Sequence, residues 1–463
     1  MAFIHFLSSR VFPEFRELIA LSMPIVIAQM AAAGMTFVDV SMSGQYSSLD
    51  LAAVAIGASI WNPVFMLVRG VLMIMTPIVA QLYGAGQTAE IGAKTRQGLW
   101  IAVTLSLFCA WLISNPDYVL TLLDVEPKIA ALSESYLDVL AWGVPAMCLY
   151  QLMASYCEGL SDTRTPMVIS VAAVLLNIPI NYVLIYGKLG FPELGAVGCA
   201  YATAFCFFVM ALLLAAHLRY HRRHQKTNPF THFERPAMAD ITAHLQVGVP
   251  VGVALFIESS IFSIIALLVG NLGVSVVAGH QVALNVASLV YIVPVSLSAG
   301  VTILVGQKIG SGRTDQAAFT SFVSVAGIAI VATLLAAFIM VFAEQIASIY
   351  TQDKAVIALA AELLVFAALF QLVDGIQLAS VGALRGYKDT RVAMFYMLFA
   401  CWCVAMPLGY TLAMTDILTS KPMGPHGFWI GLVSALTIAA VLTSTRLVKT
   451  SRRAMRADYS FSC

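Results

Sequence analysis

Three carboxylates stand inside long apolar runs of this 463-residue chain. Asp39 closes Met35-Thr-Phe-Val-Asp39, Glu258 sits in Leu255-Phe-Ile-Glu258-Ser-Ser260, and Asp374 in Phe370-Gln-Leu-Val-Asp374-Gly375. A charged side chain at the centre of a bilayer costs ~2.5–3.5 kcal/mol even on lenient insertion scales, so acids kept there face protein or water and have a task. The bland alternative is that each joins helices through a hydrogen bond. Asn177-Ile-Pro-Ile-Asn181 adds two amides one helical turn apart on one face, with Pro179 between them. Proline removes a backbone donor and frees a carbonyl, so the stretch can offer several oxygens to a small cation, or it is a kinked packing helix. Glu158, Asp138 and Glu362 are weaker candidates, Glu158 reading as an interfacial residue beside Arg164. Arg69, in Val68-Arg69-Gly70, demands a carboxylate, a carbonyl cluster or a water-filled cavity.

The elements that position these residues are membrane spans. Sixty per cent hydrophobic residues, 11% charged residues and a mean hydropathy of +0.88 exclude an ordinary soluble domain. Apolar windows of about 20 residues fall near 17–40, 51–79, 96–114, 129–157, 165–186, 194–218, 243–269, 276–304, 317–342, 356–381, 391–413 and 425–447. Six precede the loop 219–240 and six follow it, giving an amino-terminal lobe 1–218, a connecting loop and a carboxy-terminal lobe 241–463. The halves repeat each other: Gln81-Leu-Tyr-Gly84-Ala-Gly86 returns as Gln307-Lys-Ile-Gly310-Ser-Gly312, 226 positions on. At that offset Pro24 falls on Pro250 and Thr76 on Thr302, and at 227 Asp162-Thr-Arg164 falls on Asp389-Thr-Arg391. Repeated halves carrying a few intramembrane acids are a common plan of carriers. An even span count per half predicts an all-α protein of two six-helix lobes, related by a pseudo-two-fold axis along the membrane normal.

Basic residues orient the chain. With both termini inside, the inner segments hold 20 of the 25 Lys and Arg, against only Lys128, Lys188, Lys354 and Lys421 in outer loops. The amino end, Met1–Pro13, reads straight into the first span without a cleavable signal.

Other chemistries find little support. Cys401-x-Cys403 points to two helix faces without nearby His, and Cys463 sits in the tail, so neither disulfides nor a metal site are expected. His217, His221, His224, His232 and His244 read as a solvated charge run, without a spacing that specifies zinc. Gly84-Ala-Gly86 and Gly310-Ser-Gly312 lack the Lys-Ser/Thr of a phosphate loop and read as inner turns. With no nucleotide motif, no cofactor and no nucleic-acid partner expected, the energy source is an ion gradient.

In their order these residues resemble the multidrug and toxic compound extrusion (MATE) antiporters, NorM-type branch, over essentially the whole chain. The carrying motifs are Ser22-Met-Pro24 ahead of Val38-Asp39, Thr76-Pro-Ile-Val-Ala-Gln81 and Glu158-Gly-Leu-Ser-Asp162-Thr-Arg164. The second half adds Gly248-Val-Pro250 with Glu258, Gly279-His-Gln281-Val-Ala283, and Ala383-Leu-Arg385-Gly386 with Asp389. The resemblance implies a V-shaped pair of lobes that alternates between outward and inward forms. It implies a monovalent cation near Glu258 and Asp374 with Tyr291 contributing an aromatic face, and a cation or proton site at Asp39, Asn177 and Asn181. It further implies helix bending at Pro24 and drug contacts at Gln281 and Asp353. Arg69 departs from the pattern.

The expected function is a multidrug antiporter, not an enzyme. It would act as a monomer in a bacterial inner membrane and exchange bulky amphipathic, mostly cationic drugs and dyes for Na⁺ or H⁺. A lipid-linked precursor flippase is the alternative. It would need basic cavity residues for pyrophosphate, where this chain shows acids. An acid/base enzyme built on Glu258 and Asp374 lacks a nucleophile motif and a cofactor set.

Overall fold

The computed structural model describes residues 10–122, 125–227, 229–231 and 233–456. The first residues of the amino segment, His232 and Cys463 lie outside them. Every regular element among the described residues is helical. Among the described residues, twelve helices are long and apolar enough to cross a membrane. They are α1 Phe12–Tyr46, α2 Ser48–Gly84, α3 Thr88–Thr121, α4 Pro127–Gly159, α5 Arg164–Ile185, α6 Gly195–Tyr220, α7 Met238–Val269, α8 Val274–Gly310, α9 Thr314–Val341, α10 Lys354–Gly386, α11 Arg391–Met414 and α12 Pro425–Arg456. Each expected span lies on one of them. Most helices outrun the apolar stretch because a helix satisfies its backbone internally and continues past the hydrocarbon until a cap or turn stops it. The large side chains left exposed, such as Phe37, Trp111, Trp142 and Leu175, are apolar, as a lipid-facing surface requires.

Packing inside relies on small residues. With lipid as apolar as the core, helices associate by close approach of backbones. A Cβ added at Gly198 on α6 would come 2.7 Å from the Leu184 carbonyl oxygen of α5, and one at Gly427 on α12 would come 2.5 Å from the Ala413 nitrogen of α11. The repeat also shows in backbone conformation. Left-handed φ values recur at Gly86 and Gly312 (both 74°), at Ser161 and Lys388 (both 60°), and at Gly195 (53°) and Gly424 (60°). Glycine is at ease there, whereas Ser161 and Lys388 pay for their turns with strain.

Two compact units form, and they do not coincide with the halves of the chain order. Unit 1 joins the described residues of Met1–Met23 to those of Val253–Cys463, and unit 2 is Pro24–Gly252. The boundaries therefore fall inside α1 and α7, beside Pro24 and Pro250. Within unit 2, the first part of α7 lies backbone to backbone on α2, where a Cβ at Gly70 would stand 2.5 Å from Gly252 Cα. Within unit 1, the first part of α1 lies on α8, where a Cβ at Gly300 would run into Ser22 and Leu18. Each borrowed segment is tied by an ion pair: Lys308 Nζ to Glu14 Oε1 at 2.6 Å in unit 1, and Lys94 Nζ to Asp240 Oδ1 at 2.9 Å in unit 2.

The connecting loop is anchored on unit 2. Arg96 pairs with Glu234 at 2.5 Å, Trp100 Nε1 donates to the Glu234 carbonyl at 3.0 Å, and Gln97 bonds the backbone of Arg235 and Ala237. The Tyr156 hydroxyl bonds Thr227 Oγ1 at 2.6 Å. A solvated histidine run does not describe this region. His224 is buried where the loop folds back against the ends of α4 and α5, and His244 is buried on α7.

Candidate ion and substrate sites

In unit 2, α1, α5 and α6 bring four polar side chains together. Asp39 Oδ1 accepts from Asn181 Nδ2 at 2.6 Å, and Asp39 Oδ2 accepts from Thr203 Oγ1 at 2.8 Å. Asn181 Nδ2 also donates to Asn177 Oδ1 at 2.9 Å, joining the two amides that the sequence placed one turn apart. Asn177 and Asn181 are fully buried and Asp39 nearly so. Asn177 Nδ2 and Asn181 Oδ1 are buried without a hydrogen-bond partner among the described residues. The pocket thus holds one carboxylate and amide oxygens, a hard-oxygen set suited to a monovalent cation or to a proton on Asp39.

Arg69 does not belong to that pocket. Its charge acts on Glu158, which also accepts a hydrogen bond from Thr76 Oγ1 at 3.1 Å. Glu158 is therefore a partner of α2 rather than an interfacial residue beside Arg164.

In unit 1 the acids come from α7 and α10. Asp374 is fully buried, neither of its oxygens has a hydrogen-bond partner among the described residues, and it feels the charge of part-buried Glu258. Glu258 in turn feels Arg385. One turn before Asp374, Gln371 is also fully buried, and neither end of its amide is bonded. Gln377 Oε1, on the same helix, is likewise buried and unbonded. Burying an amide or carboxylate without a partner costs several kcal/mol in an apolar medium, and α10 concentrates three such side chains. Tyr291 is part-buried on α8. Gln281 is exposed, and Asp353 is exposed as the N-cap of α10, its Oδ1 accepting from Ala355 N at 2.8 Å. Pro24 is buried within a helix that runs unbroken through it.

Outside the spans, Asp162 and Asp389 occupy matching turns but differ in partners. Arg446 Nε and Thr450 Oγ1 each donate to Asp389 Oδ2 at 2.7 Å. Asp162 Oδ2 instead meets Thr165 Oγ1 at 3.0 Å and His224 Nε2 at 3.2 Å. Burial works against the charge on Asp162, yet the His224 and Thr165 hydrogen bonds and the Arg223 charge hold its carboxyl below the ordinary range.

The model of the MatE family matches residues 24–183 and 250–411. The chain belongs to the MatE family. This MatE chain is 44% identical to the multidrug resistance protein PmpM of Pseudomonas aeruginosa over 450 residues, covering 96% of itself and 94% of the relative. It is 42% identical to the multidrug resistance protein MdtK of Yersinia pestis over 435 residues, covering 94% and 95%. Among solved structures, the eukaryotic MATE transporter AtDTX14 superposes with a TM-score of 0.87 at 18% identity, covering 96% of this chain and 99% of that one. The Vibrio cholerae MATE transporter VcmN in its bent form gives 0.83 at 17% identity, covering 96% and 98%. At such identity the superpositions establish the fold.

Three features of this MatE chain escaped the sequence reading. Thr203 is one hydroxyl in an apolar run, with nothing to mark it. Gln371 carried a signal, since an amide one turn from an intramembrane acid follows the logic applied to Asn177. His280 accepts from Trp429 Nε1 at 3.3 Å, both side chains being buried, and Phe370 packs edge-on against Trp429 at 6.1 Å. No local spacing links positions so far apart.

Proposed function

We propose that this chain is a multidrug exporter that exchanges bulky, amphipathic, mostly cationic drugs and dyes for Na⁺ or H⁺. The observation that carries the reading is Asp374: a fully buried carboxylate without a hydrogen-bond donor, in reach of a second acid. Such a pair is compensated by a proton or a small cation, and a cationic drug nearby competes for the same charge. Mutual exclusion between the two is what makes exchange. The names of the relatives, multidrug resistance proteins PmpM and MdtK, support drugs as the cargo. No observation favours the lipid-linked precursor flippase.

In this reading Glu258, Asp374, Tyr291 and Gln371 hold the coupling cation in unit 1. Asp39, Asn177, Asn181 and Thr203 form a second cation or proton site in unit 2. Pro24 is the bending point of α1, and Gln281 and Asp353 touch drug. The protein acts as a monomer in a bacterial inner membrane, with 1–218 and 241–463 as its covalent halves and both termini and the 219–240 loop cytoplasmic. Exposed Lys226 tests the orientation: Lys226→Cys, in a background without Cys403 and Cys463, should react with an impermeant thiol reagent in everted vesicles and not in intact cells. Transport is tested by ethidium movement in everted vesicles under an imposed Na⁺ or pH gradient. Accumulation that follows one gradient and stops when it collapses supports exchange, and accumulation indifferent to both gradients overturns it.

A further inference from the structure

Unit 2 carries a cluster that cation exchange does not use. His217 and His221 lie one turn apart at the end of α6, and His224 follows in a short 3-10 turn, Arg222–His224. Each can offer one ring nitrogen, and these three nitrogens lie within 4.8 Å of one another. The rings of His217 and His221 stack at 4.6 Å with 15° between their planes, and His224 meets His217 edge-on at 5.5 Å. His221 is exposed, so the cluster is open to solvent on one side.

The bonding of the rings leaves nitrogens for a ligand. His224 is fully buried, its Nε2 faces Asp162 Oδ2 at 3.2 Å, and its buried Nδ1 has no hydrogen-bond partner among the described residues. An imidazole that gives one N–H to a carboxylate is fixed in the tautomer whose other nitrogen carries a lone pair, which is how metal-binding histidines are held. His221 Nδ1 accepts the Arg223 backbone N–H at 3.4 Å, leaving Nε2 for a ligand. His217 stands in the last turn of α6 and His221 is its extended C-cap, so the chain end brings the two rings side by side.

The cluster is not imposed by the repeat. Gly195-x-x-Gly198 at the start of α6 matches Gly424-x-x-Gly427, which leads into α12, 229 positions on (424 − 195). The same step carries His217 onto Arg446 and His221 onto Thr450, the two residues that bond Asp389. In unit 1 the acid of the Asp-Thr-Arg turn is held by a permanent cation. In unit 2 the equivalent positions are imidazoles that converge on each other, and the permanent cation at Asp162 is Arg223, 3.8 Å away from a different place in the chain.

We propose that His217, His221 and His224 bind one divalent transition-metal ion of the zinc class, with Asp162 as the positioning residue behind His224 and solvent completing the coordination. Zinc–nitrogen bonds of ~2.0–2.1 Å in a tetrahedron need the ligand nitrogens closer than their present spread, a change that ring rotation at exposed His221 supplies. Imidazole suits Zn²⁺, Cu²⁺ and Ni²⁺, whereas Mg²⁺ and Ca²⁺ prefer oxygen. Bound metal would clamp the connecting loop to the end of α6, since the loop continues from His224 to Thr227 and Tyr156.

The test uses full-length protein purified in detergent without a polyhistidine tag, titrated with Zn²⁺ in competition with a fluorescent chelator. One Zn²⁺ per chain is expected, with an absorption-edge spectrum showing imidazole nitrogens at ~2.0–2.1 Å. His221→Ala, at an exposed position, should weaken binding at least tenfold. Asp162→Asn should weaken it by ~10–100-fold while the metal keeps its imidazole ligands, as loss of a hydrogen bond behind a ligand does. His426→Ala, whose ring pairs with Glu362, should leave binding unchanged. Failure to bind stoichiometric Zn²⁺, or binding indifferent to His221→Ala, would overturn the proposal and leave His224 as a support for Asp162.

Discussion

Replacing Asp39 separates the structural part of its pocket from the ionic part. Asp39→Asn keeps the shape: the new carbonyl oxygen can still accept from Asn181 Nδ2, and the new amide can donate to Thr203 Oγ1, whose lone pairs are available. Only the charge is lost. Two charge-assisted bonds of ~1.5–3 kcal/mol become neutral bonds of ~0.5–1.5 kcal/mol, a loss that relief from burying a charge offsets, so the protein still folds. Asp39→Ala removes both acceptors and strands the Thr203 hydroxyl and one Asn181 hydrogen, at ~1–3 kcal/mol each, a loss of about 2–6 kcal/mol. For a cation, losing a charged ligand worth ~1.5–3 kcal/mol lowers affinity roughly 10- to 150-fold at 1.4 kcal/mol per decade. Ethidium efflux from proteoliposomes, driven in turn by a pH gradient and by a Na⁺ gradient, reads the outcome. Asp39→Asn should express near wild-type level and lose at least ~90% of efflux under the coupling gradient, a tenfold fall that corresponds to the lower bound of that range. If it exports at the wild-type rate under both gradients, unit 2 is scaffold and the reasoning about its oxygens fails.

Other outcomes follow from the same geometry. Asp374→Asn removes a buried, unbonded carboxylate, so it should raise the unfolding temperature in ion-free buffer and erase any stabilisation by the coupling ion, both read in one thermal titration. Arg69→Ala should disturb the surroundings of Glu158 and leave Asp39 untouched; ion dependence of efflux shifted as far as by Asp39→Asn would contradict that assignment. Gly198→Val and Gly427→Val push side chains into the α5 and α11 backbones at matching places, and each should cost at least ~1–3 kcal/mol, seen as lower yield of folded protein.

The sequence was most informative where lipid restricts the choices. An apolar run with no water to satisfy its backbone must be a helix, so all twelve spans were legible, and the 226-residue repeat showed in the turns at Gly86 and Gly312. Asp39, Asn177 and Asn181 were legible for the same reason, because polar groups in such runs must find partners, and they found each other. The exchange of first segments between the units was not legible. It depends on which helix backbones approach closely, as at Gly70 and Gly252, and glycines in apolar runs give no sign of their neighbours. The histidine spacing does not specify a metal by itself, because the burial of His224 depends on how the loop folds back. The acids do not follow the repeat, since the position matching Asp39 is Ile265 and the one matching Asp374 is Met147. Each unit placed its own chemistry on a shared scaffold, and symmetry alone could not have found it.

The most direct measurement is paired flux through purified protein in proteoliposomes, recording drug efflux together with ion entry by a Na⁺ tracer and a pH-sensitive dye. Drug movement should be matched by entry of one cation species, and Glu258→Gln and Asp374→Asn should each abolish both fluxes together while the proteins remain folded. Drug efflux that continues without ion entry, or that survives loss of Asp374, would contradict the account.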